Sequence, residues 1–306
     1  MRTLGLLVAL IALATPPGAA AEEVPAAAPV ASFAPPRFAE DALSYVYGPD
    51  YRNPFVVTPS QPDGASIARQ HLELKHVDAW KYGHDFVEIV LKKSNEVEPA
   101  AGGGAGAMGF YSVFRFGAGI NRIAGRPLVA LGPLRDIDVQ VGMNLEAKNV
   151  DFAPNERTLY AGANLQFAAG RGFVNVGLHL RKEWNHNGHL GVGETYDLGF
   201  NVEPVWHVPF RIGSVQLAFD GVADYNTAKG KDAAGRETRP EFIARPLLKV
   251  DVSRLVGRDS RALELAVGFQ YWHNIFGKDA SRVPGASELT PVFGLAVHLP
   301  LGASGH

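Results

Sequence analysis

From Arg135 to Lys148 the chain alternates apolar and polar residues almost without a slip. Ile137, Val139, Val141, Met143, Leu145 and Ala147 fall on one face, and Asp136, Asp138, Gln140, Asn144, Glu146 and Lys148 on the other. Successive side chains of an extended chain leave opposite sides, so a period of two predicts a strand with one oily and one watery face. It is also long, more than twice the about five or six residues of an ordinary globular strand. Such a strand needs an environment with oil along one side and water along the other.

The pattern recurs. Leu159, Ala161, Ala163, Leu165 and Phe167 alternate with Thr158, Tyr160, Gly162, Asn164 and Gln166, and Val174, Val176, Leu178 and Leu180 with Asn175, Gly177, His179 and Arg181. Similar segments lie at 109–121, 193–206, 213–225, 239–253, 262–274 and 289–299, with less regular ones at about 43–48, 70–80 and 84–93. The connections are unequal. Long Gly-, Asp- and Asn-rich loops such as "SNEVEPAAGGGAGAM" and "NTAKGKDAAGRET" collect on one side of the sheet, at 49–69, 94–108, 149–156, 185–192, 226–238 and 275–288. The other side carries 81–83, 122–134, 169–171, 207–212 and 254–261, mostly short turns, with 122–134 an exception. Long outer loops, short inner turns and an even strand number are the layout of outer-membrane barrels.

The N-terminus fits that destination. Arg2 precedes an apolar run from Leu4 to Ala14 and a small-residue site at Ala19-Ala20-Ala21, which predicts a bacterial signal peptide over 1–21. Residues 22–40 are Pro- and Ala-rich and predict a flexible lead-in, leaving 41–306 for the barrel. Removing 1–21 takes away one charge, Arg2, and leaves 28 Lys+Arg against 31 Asp+Glu, a net −3 that gives no reason to expect a nucleic-acid partner. There is no cysteine, so disulfides, thiolate catalysis and cysteine-ligated metals are excluded. No later apolar run reaches the roughly twenty residues of a spanning helix. A membrane-embedded mature chain must therefore be a closed barrel, because lipid satisfies no backbone polar group.

One segment serves as a ruler. Along "TYDLGFNVEPVW" the expected lipid face runs Tyr196, Leu198, Phe200, Val202, Pro204, Trp206, aliphatic between aromatic ends. Ten residues at about 3.3 Å each, tilted by about 40°, cover roughly 25 Å, the height of a barrel's apolar band. Trp184 and Tyr271 share that face near strand ends, where amphipathic rings suit the headgroup level. A soluble β-sandwich would alternate too, but strand length, loop asymmetry and the ruler favour a transmembrane antiparallel β-barrel of about 12 strands in the outer membrane. Two features pull against it: Pro246 inside a strand, which removes a ladder bond unless the strand bulges, and an ending, "VHLPLGASGH", without a terminal aromatic.

"SYVYGPDYRNPF" (44–55), "LKHVDAWKYGHDFVEIVLKKS" (74–94), "FYSVFRFGAGINRIAG" (110–125) and "FQYWHNIFGKD" (269–279) resemble the nucleoside-specific, Tsx-like channel-forming porins of the outer membrane. The resemblance is diffuse over about 43–300 and rests on short aromatic and glycine patterns. It implies a twelve-stranded monomeric barrel with a narrow nucleoside pore, in a family that also serves as receptors for bacteriophages or colicins. The missing terminal aromatic departs from the usual barrel ending, which bears on engagement of the outer-membrane assembly machinery.

If the apolar face meets lipid, the other face lines a lumen in which both charge signs are interspersed. Such a wall suits small polar solutes better than strong ion selectivity, which needs rings of one sign. Tyr111, Tyr160 and Trp272 fall inward toward the long-loop end and offer ring faces, with Arg115, Glu146 and Arg181 for sugar hydroxyls. Equally, Arg115, Arg181, Arg245 and Lys249 could serve only to neutralise nearby carboxylates. His186 and His189 in "HNGH" lack an assured third metal ligand, and no Gly-x-Ser-x-Gly elbow occurs. The expectation is a passive, cofactor-free outer-membrane channel for small polar solutes, nucleosides first, and not an enzyme. A closed receptor or adhesion barrel and a lipid-modifying barrel enzyme are the alternatives. Val141→Arg is expected to cost roughly 2–4 kcal/mol in lipid, and Asn144→Arg much less.

Overall fold

The computed structural model describes residues 38–258 and 261–299, so the expected signal peptide, most of the lead-in and the C-terminal residues lie outside the described residues. Thirteen strands form one antiparallel sheet: β1 Phe38–Tyr51, β2 Ile67–Ala79, β3 Gly83–Ser94, β4 Met108–Gly119, β5 Leu134–Lys148, β6 Asn155–Ala169, β7 Gly172–Asn187, β8 Val192–Thr195, β9 Gly199–Ile212, β10 Val215–Asn226, β11 Glu241–Asp251, β12 Leu263–His273 and β13 Ser287–Leu299. β1 pairs with both β2 and β13, β6 with β7, and β7 with β9, so twelve strands close into a ring. β8 is a short addition paired to the outer end of β7. β1 begins at Phe38, so 38–40 belong to the first strand rather than to the lead-in.

The facing follows the sequence. Along β5, Val139 and Val141 are exposed on the outside, while Asp138, Gln140 and Asn144 are buried inside. Leu72, Leu74, Leu91, Phe116, Leu159, Leu178, Leu180, Phe200, Leu265, Phe293 and Leu295 extend the exposed apolar surface around the ring. Among the described residues no helix is long and apolar enough to cross a membrane. A closed antiparallel barrel with an apolar exterior satisfies every ladder bond internally and meets lipid with its side chains, and the protein is an outer-membrane barrel.

Four local expectations are corrected. The strand expected to end at 206 continues to Ile212, because Pro209 is accommodated opposite Ala218 and the chain reverses only at Gly213, whose φ of 58° a tight turn can use. The ruler fails at its outer end. The chain leaves the sheet between β8 and β9, and Tyr196 is buried, its hydroxyl donating to Glu194 at 2.9 Å. Burial and the neighbouring Glu194 raise its phenol well above the usual range. Trp206 does face outward, but lies flat over Gly221, Ala223 and Ala244 rather than standing at the headgroups. Pro246 needs no bulge: pairing to β12 skips Arg245 and Pro246 and resumes at Leu247 opposite Gly268 in unchanged register. There a Cβ on Gly268 would lie 2.0 Å from the Pro246 carbonyl oxygen, so the close approach of the two strands requires glycine.

The long inner connection 122–134 is built around one side chain. A single turn, α1 Ile120–Ala124, follows β4. The fully buried Asn121 amide donates to the carbonyls of Val129 (2.6 Å) and Arg135 (2.7 Å) and accepts from the N–H groups of Leu128 and Val129.

Candidate functional site

The lumen is the site, and its two halves differ. On the arc from β4 to β9 the inward side chains are large, polar and mutually bonded. Arg115 on β4 donates from Nη1 to Asn144 Oδ1 (2.8 Å), and Asn144 donates to the hydroxyls of Tyr111 (3.0 Å) and Tyr160 (3.2 Å). The Arg115 guanidinium also lies 4.3 Å over the Tyr160 ring, and Lys92 lies 4.6 Å over Tyr111 while pairing with Glu146 at 3.2 Å. Below them His179 bridges Gln140 and Asn201, both at 2.8 Å, and Asp138 accepts from Asn164 at 2.9 Å. Most of these side chains are buried, with Lys92, Tyr111 and Glu146 part-exposed, so this part of the barrel is largely occupied by its own network.

Two ion pairs reach across the lumen at mid-height. Arg115 meets Glu203 on β9 in a bidentate pair at 2.9 and 3.0 Å, and Arg245 on β11 meets Glu73 on β2 at 3.1 Å. Each joins strands that are not neighbours in the ring. Glu73 also holds Lys75 at 3.4 Å, which in turn holds Glu88 at 3.0 Å. A bidentate, desolvated pair between distant strands fixes the cross-section of the barrel.

The arc from β10 to β13 is built differently. Its inward positions include Val222, Leu247, Ala266, Gly268, Gly294 and Ala296, small or apolar and open to water to varying degrees. Lys75 on β2 and Arg245 and Lys249 on β11 keep part of their side chains in water beside these positions.

The outer mouth is narrowed by two inward-folded loops. Glu98, from the loop after β3, is buried against Arg69 (3.3 Å), Lys148 and Ser94. Burial alone would raise its carboxyl, but the flanking Arg69 and Lys148 outweigh it and hold the group at about 2. Lys229, from the loop after β10, pairs with Glu183 on β7 at 2.5 Å, and Glu183 also binds Arg181. One loop thus brings a carboxylate and the other an ammonium into the wall.

No protein-family model matches the chain, and no curated protein matches it. Among solved structures, it is similar to a NanC porin at 12% identity, with a TM-score of 0.42, over 84% of this chain and all of that one. It is similar also to the translocator domain of the autotransporter NalP from Neisseria meningitidis, at 10% identity and TM-score 0.41, covering 85% of this chain and 87% of that one. A third is OccK11 (OpdR) of Pseudomonas aeruginosa, at 9% identity and TM-score 0.29, covering 87% and 96%. At these identities and scores the likenesses carry no information about solute or activity.

All six expected lining residues point inward. Tyr111, Arg115, Glu146, Tyr160 and Arg181 gather on the filled arc, but Trp272 on β12 stands apart, its Nε1 donating to Glu241 at 2.7 Å and its ring edge-on to Phe276. The pairing of Arg115, Arg181, Arg245 and Lys249 with carboxylates holds for each of the four. His186 and His189 go separate ways, the first to the Ala153 carbonyl at 3.1 Å and the second against Phe152. Glu73 and Lys75 were not singled out by sequence, although Arg69, His71, Glu73 and Lys75 alternate with Gln70, Leu72 and Leu74 in plain view. Glu98 and Lys229 carry no signal at all, since a charge in a Gly-rich loop gives no hint that the loop folds inward.

Proposed function

We propose that the protein is a passive outer-membrane channel for small polar solutes. The observation that carries this is the uneven lumen: inside an apolar-skinned barrel most inward side chains from β4 to β9 are buried in one network, while β10 to β13 and β2 carry small residues and part-exposed charges. Narrowing by the Arg115–Glu203 and Arg245–Glu73 bridges sets the size class at small solutes rather than folded chains or oligomers.

Nucleosides are the narrower solute to which the sequence resemblance points. Tyr111 and Tyr160 each have one ring face covered by Lys92 and Arg115, so stacking of a base there uses the remaining face or displaces the cation. Trp272, outside that cluster, is the ring to test first. Base stacking is worth about 1–3 kcal/mol by alanine substitution, compatible with the weak binding that passage requires. Stepwise conductance of purified protein in planar bilayers, with transient block by added nucleoside, is the expected result. Folded barrels that insert but never conduct would leave a closed receptor barrel as the better account.

A further inference from the structure

We infer that the water-accessible arc of the lumen selects small organic anions that carry an apolar body, an inference that rests on the channel reading. The first observation concerns which charges reach the water. Lys75, Arg245 and Lys249 keep 33, 23 and 22% of their side chains exposed, whereas their partners Glu73, Glu88, Asp220 and Glu264 keep 2, 15, 15 and 7%. The cations stand in front and the carboxylates behind. Lys75 Nζ and Arg245 Nη1 sit on the two oxygens of the same carboxylate, Glu73, at 3.4 and 3.1 Å. Arg245 Nε is taken by Gln270 at 3.0 Å, and its Nη2 has no hydrogen-bond partner among the described residues. The two cationic heads therefore share Glu73, Lys75 also holds Glu88 at 3.0 Å, and both heads retain donors for another anion.

The second observation is the wall beside them. Val222 faces inward yet is 37% exposed, with Leu247, Gly268 and Ala266 on the adjoining strands at inward positions. An aromatic or short aliphatic body has apolar surface to run along there, and its carboxylate or other anionic group has Lys75 and Arg245. Lys249 lies four residues further along β11, about 13 Å at 3.3 Å per residue, as the next cation.

One effect opposes this. Glu73, Glu88, Asp220 and Glu264 face the three cations, and Asp224, Glu241 and Glu288 also point inward, so carboxylates outnumber cations and the net field of the arc is negative. That field is screened over about 8 Å at physiological ionic strength, whereas an anion touching Nζ or Nη2 makes a charge-assisted bond. Contact decides, and contact is with the cations. A solute cation meets only recessed carboxylates already occupied, and a neutral solute gains little from either. Because Glu73 and Glu88 already stand against the two heads, the bound anion is also released readily, as a channel requires.

The test uses benzoate, benzyl alcohol and benzylamine, alike in body and different in charge. Full-length protein is reconstituted in planar bilayers, and folding of every variant is verified by heat-modifiable electrophoretic mobility. Under a potassium benzoate gradient the reversal potential should take the sign set by benzoate, and benzoate should reduce the chloride current at about a tenfold lower concentration than the other two. Lys75→Gln and Lys249→Gln should each shrink that preference severalfold, and Lys231→Gln, in an exposed loop, should keep it. A reversal potential set by potassium, equal block by all three compounds, or an undiminished preference in both lumen variants would overturn the inference and leave the channel standing. Folded barrels with no conductance in any salt would overturn the channel reading itself.

Discussion

At the scale of single residues, facing toward lipid or lumen sets the cost of a charge, but the lumen is not uniformly permissive. Val141 is exposed on the outer face of β5, so Val141→Arg should destabilise the barrel by roughly 2–4 kcal/mol in a bilayer unfolding titration. Asn144 does not provide the mild inward counterpart that alternation suggests. It is buried and holds Arg115 and two tyrosine hydroxyls, so an arginine there meets an existing cation and breaks the network. The suitable comparison is Ala296→Arg, inward, opposite Glu264, and expected to cost far less than Val141→Arg. Similar losses for Ala296→Arg and Val141→Arg would refute the assigned facing. Glu203→Gln leaves Arg115 buried without its counter-charge and should cost about 3–5 kcal/mol. The double variant Arg115→Met/Glu203→Leu should lose less than Glu203→Gln alone, and a double-mutant cycle in lipid vesicles measures the difference.

At the scale of elements, strands and connections draw on different physics. The strands were legible because period two is written locally; the connections were legible by length and composition only. For 122–134 the deciding group is Asn121, whose four side-chain hydrogen bonds replace the ladder that a tight turn would have supplied. Asn121→Ala should cost roughly 2–4 kcal/mol and open 122–134 to protease added from the periplasmic side, leaving the β5–β6 pairing intact. The loop that carries Glu98 should respond to acid. Its carboxyl is held at about 2 instead of the ordinary 4.5, so the stabilisation is fully present above pH 4.5 and is lost as pH falls toward 2. Conductance at pH 3 should rise or become noisy as the loop frees itself from Arg69 and Lys148, and Glu98→Gln should show that behaviour at neutral pH. A Glu98→Gln pH profile superimposing on that of the wild type would contradict the anchoring role.

At the scale of the whole molecule, ring closure fixes which loops face outward and how much of each can be reached. Lys229 is buried in its ion pair, while Lys231 and Arg236 in the same loop are exposed. Trypsin added to intact cells should therefore cut after Lys231 or Arg236, spare the bond after Lys229, and leave the Gly170-Arg171 turn untouched. Mass spectrometry of the released fragments reads this directly. Cleavage at Arg171 in intact cells, with the loop after β10 protected, would invert the topology.

The sequence by itself determined the strand character of the chain, the facing of each strand and the unequal lengths of the two sets of loops. These depend on neighbours one or two residues away, and a pleated chain has no means of hiding them. The ring was legible only as an expectation, from strand count and from the need to leave no edge in lipid. Partnership across the lumen was not legible. Arg115 and Glu203 are 88 residues apart and Arg245 and Glu73 are 172 apart, and nothing in either local pattern distinguishes a charge that spans the barrel from one that meets its neighbour. Nor did alternation show which arc would be filled, since an inward Asn and an inward Ala read alike as the non-lipid face. That was settled by closure, which set the large inward side chains of β4 to β9 against one another and put small residues, Ala266, Gly268, Gly294 and Ala296, at inward positions of β12 and β13.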